Sequence, residues 1–335
     1  MRLIGLLAAA TMAALPALAN DSSAELAAGG LVLTRNDAIA MLAEDLFISR
    51  EAVKVAYRFR NTTARDVTIR VAFPMPDVGD EHFGFHETAV PNREAPANLL
   101  DFKTLVDGRP VVAELEQQVF AKGVDQTAWL ARRGVPLAPY LAETPDALDR
   151  LSDADKAAAV ALGLAIPDEY DVGKGMESHL SPAWTMKATF HWMQTFPAGQ
   201  EVRIEHAYRP SVGGSAGTSI ASPYESPDDA SVYAGRFCVD RSFIAGVRKV
   251  MQARGVEYPP FQEERIDYIL TTGGNWAGPI GDFRLVIDKG SPDTLVSFCG
   301  EGVKKIGPTQ FEVRKTNFRP DRDLSILFLI PAPQD

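Results

Sequence analysis

The chain has 335 residues, 46% hydrophobic and 23% charged, with 34 Lys and Arg against 44 Asp and Glu for a net charge of −10. An acidic chain without a basic run repels phosphate backbones, which argues against nucleic acid as a partner. With 17 Phe, 8 Tyr and 4 Trp there is ample apolar bulk for a core, and a disordered chain is excluded.

Residues 1–19 place Arg2 ahead of an apolar run from Leu3 to Leu15 and finish in Ala17, Leu18 and Ala19, the pattern of a secretory signal cleaved after Ala19. The run before Pro16 falls short of the roughly 20 apolar residues that span a bilayer. The other apolar run near a terminus, Ile326 to Ile330, is shorter still. The sequence therefore predicts a periplasmic or secreted protein with no transmembrane segment in its mature chain. In an oxidising compartment the only two cysteines, Cys238 and Cys299, are expected to form a disulfide in preference to a metal pair or a nucleophilic thiol. Such a bond closes a loop worth on the order of 4 kcal/mol in chain entropy.

An N-terminal β region is expected over residues 20–120. Its first segment, Ala24 to Ala43, has no clear period. Val53, Val55, Tyr57 and Phe59 share one parity and Val67, Ile69, Val71 and Phe73 another, which predicts two half-buried strands, read as a hairpin through Asn61–Asp66. A second hairpin is expected over Phe102 to Phe120, turning at Asp107 and Gly108. Residues 121–175 read as a helical insertion, with Ser152 and Asp155 forming a capping box before an Ala-rich run. The insertion is expected to lie against the β core or a partner, or to act as a lid.

Residues 176–212 are expected to continue the first region as a hairpin, with Met186 to Trp192 and Val202 to Tyr208 joined through Pro197–Gln200. On this strand pattern His206 points inward and His191 outward. A C-terminal α+β region follows over residues 213–335. It opens on a glycine-rich loop, Gly213 to Thr218, continues with a helix from Asp240 to Arg254, and then carries strands at Arg265 to Thr272, Phe283 to Asp288, Leu295 to Cys299, Gln310 to Lys315 and Leu324 to Ile330. The expected fold is mainly β with minor α: antiparallel, sandwich-like sheets in two regions, a short helical insertion and one disulfide.

Candidate chemistry is sparse. Gly213, Ser215 and Gly217 match the spacing of a nucleophile elbow, yet no helical pattern follows and all five histidines precede Ser215, against the hydrolase order. His82, His86 and Glu87 form the densest set of metal-type ligands, but Gly84 breaks the helix that would align them. The glycine-rich loop at 271–281 carries Asn275 and Trp276, which would either present a ligand platform or fold back as a plug over one end of the sandwich. No catalytic residue and no cofactor is predicted.

The segment NDSSAELAAGGLVLTRND (Asn20–Asp37), followed by Glu44–Ser49, Tyr57–Asn61 and Val71–Pro76, resembles a family of exported bacterial proteins grouped as a domain of unknown function; Gly274–Phe283 is similar to a second block of that family. The resemblance covers essentially the whole mature chain and leaves 77–98 outside its blocks. It implies export and a mostly β protein, and it carries no activity and no site residues. The expected role is a non-catalytic binding or structural module of the cell envelope, with a protein or envelope component as partner. A secreted or envelope hydrolase and a periplasmic small-ligand-binding protein are the alternatives.

Overall fold

The computed structural model describes residues 20–27, 30–79, 91, 98–171, 173 and 175–332. The signal segment and the His82, His86 and Glu87 cluster lie outside the described residues. The chain begins with β1 (Ser22–Ala27), β2 (Gly30–Thr34), β3 (Ile39–Ile48), β4 (Val53–Asn61) and β5 (Val67–Pro74). Next come β6 (Lys103–Val106), β7 (Arg109–Val111), β8 (Glu114–Ala121) and β9 (Val124–Asp125), then the helices α1 (Thr127–Ala131), α2 (Glu143–Asp149) and α3 (Asp153–Leu162). β10 (Ala165–Asp171), β11 (Met176–Pro182), β12 (Thr185–Phe196), β13 (Glu201–Tyr208) and β14 (Gly213–Ser215) lead to α4 (Pro227–Phe237) and α5 (Arg241–Arg254). The last strands are β15 (Phe261–Tyr268), β16 (Ile280–Asp288), β17 (Leu295–Phe298), β18 (Lys304–Lys305), β19 (Gln310–Phe318) and β20 (Leu324–Pro331).

Two large sheets carry the fold. One has six strands in the order β2-β1-β5-β12-β8-β9, the other eight in the order β18-β19-β16-β3-β4-β13-β6-β7. The fold is mainly β, as expected, and among the described residues the strand pairings are antiparallel except one: β3 and β16 run parallel. That pair joins an N-terminal strand to a C-terminal one, so the region after residue 213 contributes β16, β18 and β19 to the larger sheet.

The two expected hairpins around Asn61–Asp66 and Pro197–Gln200 do not form. β4 pairs with β13, and β5 pairs with β12. Each loop instead carries the chain from one sheet to the other. Alternation told correctly which residues face the core but could not tell a hairpin from an arch, because both bury the same parity. The hairpin expected over Phe102 to Phe120 is only half present: β6 and β7 pair across Asp107 and Gly108, while β8 crosses to the six-stranded sheet.

The core between the sheets is aromatic. Phe73, Phe102 and Phe190 stack in series, with centroids 5.3 and 4.3 Å apart, and Phe59 meets Phe196 edge-on at 5.9 Å. A third sheet, β14-β15-β20-β17, is buried on both faces. Ile266, Tyr268, Ile326 and Phe328 join the main core. Phe261, Leu327 and Leu329 face α4 and α5, packing with Tyr233, Phe237 and Val247. From Ile326 to Ile330, β20 consequently reads as an unbroken apolar run in place of an alternating one.

Local signals explain the helices. Ser152 accepts from Asp155 N at the start of α3, Asp240 caps α5 by accepting from Phe243 N, and Gly255 ends α5 in the left-handed region. Helix α4 was missed although Ser226, Pro227 and Asp229 make a full capping box with proline in the first turn. Gly213–Ser215, expected as a flexible loop, is the short edge strand β14, paired with Glu263–Arg265. The Cys238–Cys299 disulfide is present, its Cα atoms 5.0 Å apart. It ties the C-terminal end of α4 to β17, where Ser297 Oγ also donates to Phe237 O.

The helical insertion contributes Leu130, Leu141, Leu148 and Trp184 from its flank to the main core. Leu148→Ala is therefore expected to destabilise the protein by about 2–5 kcal/mol, read as a lowered urea midpoint. A midpoint equal to that of the unmodified chain would show that the segment packs as a detachable lid. Replacing both cysteines by serine should lower the thermal midpoint, and reducing agent should then have no further effect.

Candidate ligand-binding site

Three polar features stand out, and only one of them is open to solvent. The first is the buried polar cluster at the head of β1. His206 is buried, with Nδ1 3.1 Å from Thr104 Oγ1 and Nε2 3.0 Å from Asp21 Oδ1. Asn20 Nδ2 donates to Glu44 Oε2 at 3.0 Å, and the Tyr57 and Tyr268 hydroxyls are bonded to each other at 3.0 Å. Burial pushes the Glu44 carboxyl up to about 8 and raises that of Asp21. Glu44 faces inward because a bulge between Met41 and Ala43 switches the parity of β3. Gly281 lies against that bulge; a Cβ there would stand 2.5 Å from Leu42 O. Asn20, Asp21, Glu44 and His206 are all buried and bonded to one another or to neighbouring strands, the arrangement of a structural element.

Trp276 belongs to the same region. It is fully buried, its indole donates to Asp21 O at 2.6 Å and its ring meets Phe59 at 4.7 Å. It stands as a plug in the core and not as an exposed platform, because the loop at 271–275 folds inward under β1. Asn275 donates to Ser22 Oγ at 2.9 Å and its carbonyl accepts from Asn36 N. Both residues tie the C-terminal loop to the N-terminal strand.

The second feature is His191. Expected to be exposed, it is buried, with Nδ1 3.0 Å from Arg70 Nη1. Arg70 on β5 and the acidic side chains of Glu114 and Glu116 on β8 crowd the outer face there; burial and then Arg70 hold its pKa below the usual imidazole value.

The open feature is a groove of about 680 Å³ where the sandwich meets the third sheet, lined by Arg50, Glu51, Arg209, Val212, Ser215 and Glu264. Arg50 sits in the tight turn between β3 and β4, where Ser49 Oγ accepts from the backbone N–H of Glu51 and of Ala52. Its guanidinium forks onto both oxygens of Glu264, the second contact being 3.0 Å from Nη2 to Oε1, and that carboxylate raises the Arg50 pKa. Glu264 projects from β15 toward the sandwich while its neighbours Glu263 and Arg265 project to the other face, where they are buried and paired. Arg209, just past β13, is held by a backbone bond from its N–H to Leu100 O, while its side chain is exposed, with a long contact of 3.6 Å to Asp101 Oδ2. Gly214 lets β14 approach β15 closely: a Cβ would meet Glu263 O at 3.1 Å.

Behind β14 lies a second depression of about 440 Å³, lined by Ser215, Thr218, Ser222, Asp229, Tyr233 and Arg265. Its wall is braced by Tyr233, whose hydroxyl donates to Glu263 Oε1 at 2.6 Å. Burial first, and then the Glu263 carboxylate, push the Tyr233 pKa up to about 12. Ser215 thus forms a ridge between two polar hollows. Its hydroxyl oxygen accepts from the Gly217 backbone N–H at 3.5 Å. His206, His191 and His179 are engaged by Asp21, Arg70 and Asp149, so no described histidine is arranged to activate Ser215.

Sequence reasoning missed Arg50, Arg209 and Glu264. One signal was present: the run Glu263, Glu264 and Arg265 puts three charges in the middle of a strand, which burial tolerates only when each is paired or faces a polar cavity. Among the described residues no group of three His, Cys, Asp or Glu could hold a metal ion, and no helix is long and apolar enough to cross a membrane.

Trp276→Ala is expected to cost about 3–5 kcal/mol, measured by chemical denaturation. Stability close to that of the unmodified protein would contradict the plug.

No curated protein matches this sequence. A solved structure from Legionella pneumophila, named as a candidate nutrient binding protein, is 17% identical with a TM-score of 0.45, over 93% of this chain and 70% of that one. The sequence profile of the family described as "Domain of unknown function (DUF4424)" matches residues 19–327, from the head of β1 into β20, and the chain belongs to that family.

Proposed function

We propose that the protein is an exported binding module of the cell envelope and that the Arg50–Glu264 groove holds its ligand. The observation that carries this reading is the groove itself: an open hollow of about 680 Å³ that combines two guanidinium groups, two carboxylates and a serine hydroxyl on short, braced turns. Export is supported by the sequence of residues 1–19 and by a disulfide that persists only in oxidising compartments.

The lining is close to charge-balanced. Arg50 is answered by Glu264, whereas Arg209, which also lines the hollow, has a long 3.6 Å contact to Asp101. A planar guanidinium binds a carboxylate or a phosphate through two parallel hydrogen bonds, and the singly charged carboxylate is repelled less by Glu51 and Glu264 in the lining. The ligand is accordingly a small polar compound, or the polar end of a larger envelope component, that presents a carboxylate to Arg209 and hydroxyl or amine groups to Ser215 and Glu51. No cofactor enters this reading.

Thermal-shift screening of the purified protein against amino acids, short peptides and sugar acids, followed by calorimetry on any hit, tests it. Arg209→Ala should weaken binding by roughly 10- to 100-fold, the loss of one charge-assisted contact, while leaving the melting temperature of the free protein unchanged. Binding that survives Arg209→Ala intact, or a screen in which no carboxylate shifts the melting temperature, would rule the groove out as the ligand site.

A further inference from the structure

Asn20 and Asp21 are fully buried at the head of β1. Two acceptors there, Asn20 Oδ1 and Asp21 Oδ2, lack a donor among the described residues, and Glu44 Oε1 has only the Tyr268 hydroxyl beside it. They form one cluster, because Asn20 Nδ2 donates to Glu44 Oε2 and Asp21 is the next residue. The cluster sets two carboxylates against a single imidazole, that of His206. The other titratable groups facing it are the hydroxyls of Tyr57 on β4 and Tyr268 on β15. Orphaned buried acceptors are strongly unfavourable, and buried carboxylates require a counter-charge.

What the cluster lacks is a cation with several donors. An ammonium has three N–H donors and no acceptor. Cleavage after Ala19 creates one at the backbone nitrogen of Asn20, the residue whose side chain already touches Glu44. We propose that the α-ammonium of Asn20, released when the leader is removed, is the counter-ion of the Asp21–Glu44 cluster, so that proteolytic processing completes the fold. The proposal rests on the export reading for its cleavage point.

Before cleavage the same nitrogen is a neutral amide with one N–H. Burial then holds Glu44 as the neutral acid, with its pKa pushed up to about 8 from 4.5. A carboxyl whose folded pKa lies above its unfolded value stabilises the fold when protonated. Its contribution is complete below pH 4.5 and is lost as pH rises toward 8. The ammonium reverses this by pairing with the ionised carboxylate.

The test compares two disulfide-bonded chains made outside the export route, each released from a fusion without added residues: one starts at Asn20, the other keeps Ala19. The Asn20 chain is expected to melt about 5 °C or more above the Ala19 chain at pH 7.5, with the gap narrowing toward pH 5. Glu44→Gln should close the gap. Independently of that variant's folding, the α-amine of the native Asn20 chain should resist acylation by an N-hydroxysuccinimide ester, while that of the Ala19 chain reacts. Equal melting across the pH range, or an α-amine acylated as fast as surface lysines, would overturn the pairing. Intact mass of the protein recovered from exporting cells reads the cleavage point separately. A start other than Asn20 would overturn the maturation step even where the melting comparison shows that the cluster accepts an ammonium.

Discussion

The two arches are the constraint on which the rest of the molecule depends. β4 leaves the larger sheet through Asn61–Asp66 to become β5 of the smaller one, and β12 leaves the smaller through Pro197–Gln200 to become β13 of the larger. The four strands then pair crosswise over eight registered residues on each side. Asn61 locks the two loops together: its amide donates to Arg65 O and Phe196 O, both at 2.8 Å, and its backbone N–H donates to Gln200 O. Asp66 completes the lock by accepting from Ala198 N. With the separation of the sheets fixed at that end, the rings of Phe59, Phe73 and Phe196 have a defined slot to fill.

The buried polar cluster follows from the same frame. A bulge in β3 turns Glu44 inward opposite Tyr57, and β13 buries His206, so the interior acquires charge that apolar packing alone would reject. The N-terminal strand and the 271–276 loop answer it: Trp276 and Thr272 bond to the carbonyls of Asp21 and Asn20, at 2.6 and 2.8 Å. Residues some 250 positions apart are thereby held at one point. The C-terminal region is joined to the sandwich by this cluster and by the parallel pair β3 and β16, and not merely appended to it.

Much of the fold was legible in the sequence because burial imprints a period. The inward parity of Val53 to Phe59 and Val202 to Tyr208, the caps of α3 and α5, and the Cys238–Cys299 pair all follow from local chemistry. What was not legible is relational. Whether consecutive strands close a hairpin or cross between sheets depends on a partner some 140 residues away, and the same alternation serves both. His191 had the parity of an exposed residue and is covered by neighbours on other strands. Trp276 was open to two readings, a platform or a plug, because glycines surround it; its side chain is buried and its loop folds under β1. The groove was invisible for a similar reason: Arg50, Arg209 and Glu264 come from three separate turns and strands, and only the charge-dense stretch of β15 hinted at them.

The groove's location follows from the third sheet's double burial. A strand with two buried faces can carry charge only where a partner or a cavity receives it, and β15 uses both solutions in consecutive residues. Glu263 and Arg265 pair under α4, which stiffens the face held by the disulfide, while Glu264 on the opposite face meets Arg50 across the joint with the sandwich. The disulfide and the Ser297 to Phe237 bond anchor α4, α4 braces Tyr233 and Glu263, and these fix the register of the short edge strand β14 that forms the groove's ridge. A hollow built on three-residue strands and turns would otherwise deform on contact with any ligand. Here its walls are tied to two buried cores, which lets a small number of polar groups keep the spacing that selective binding requires.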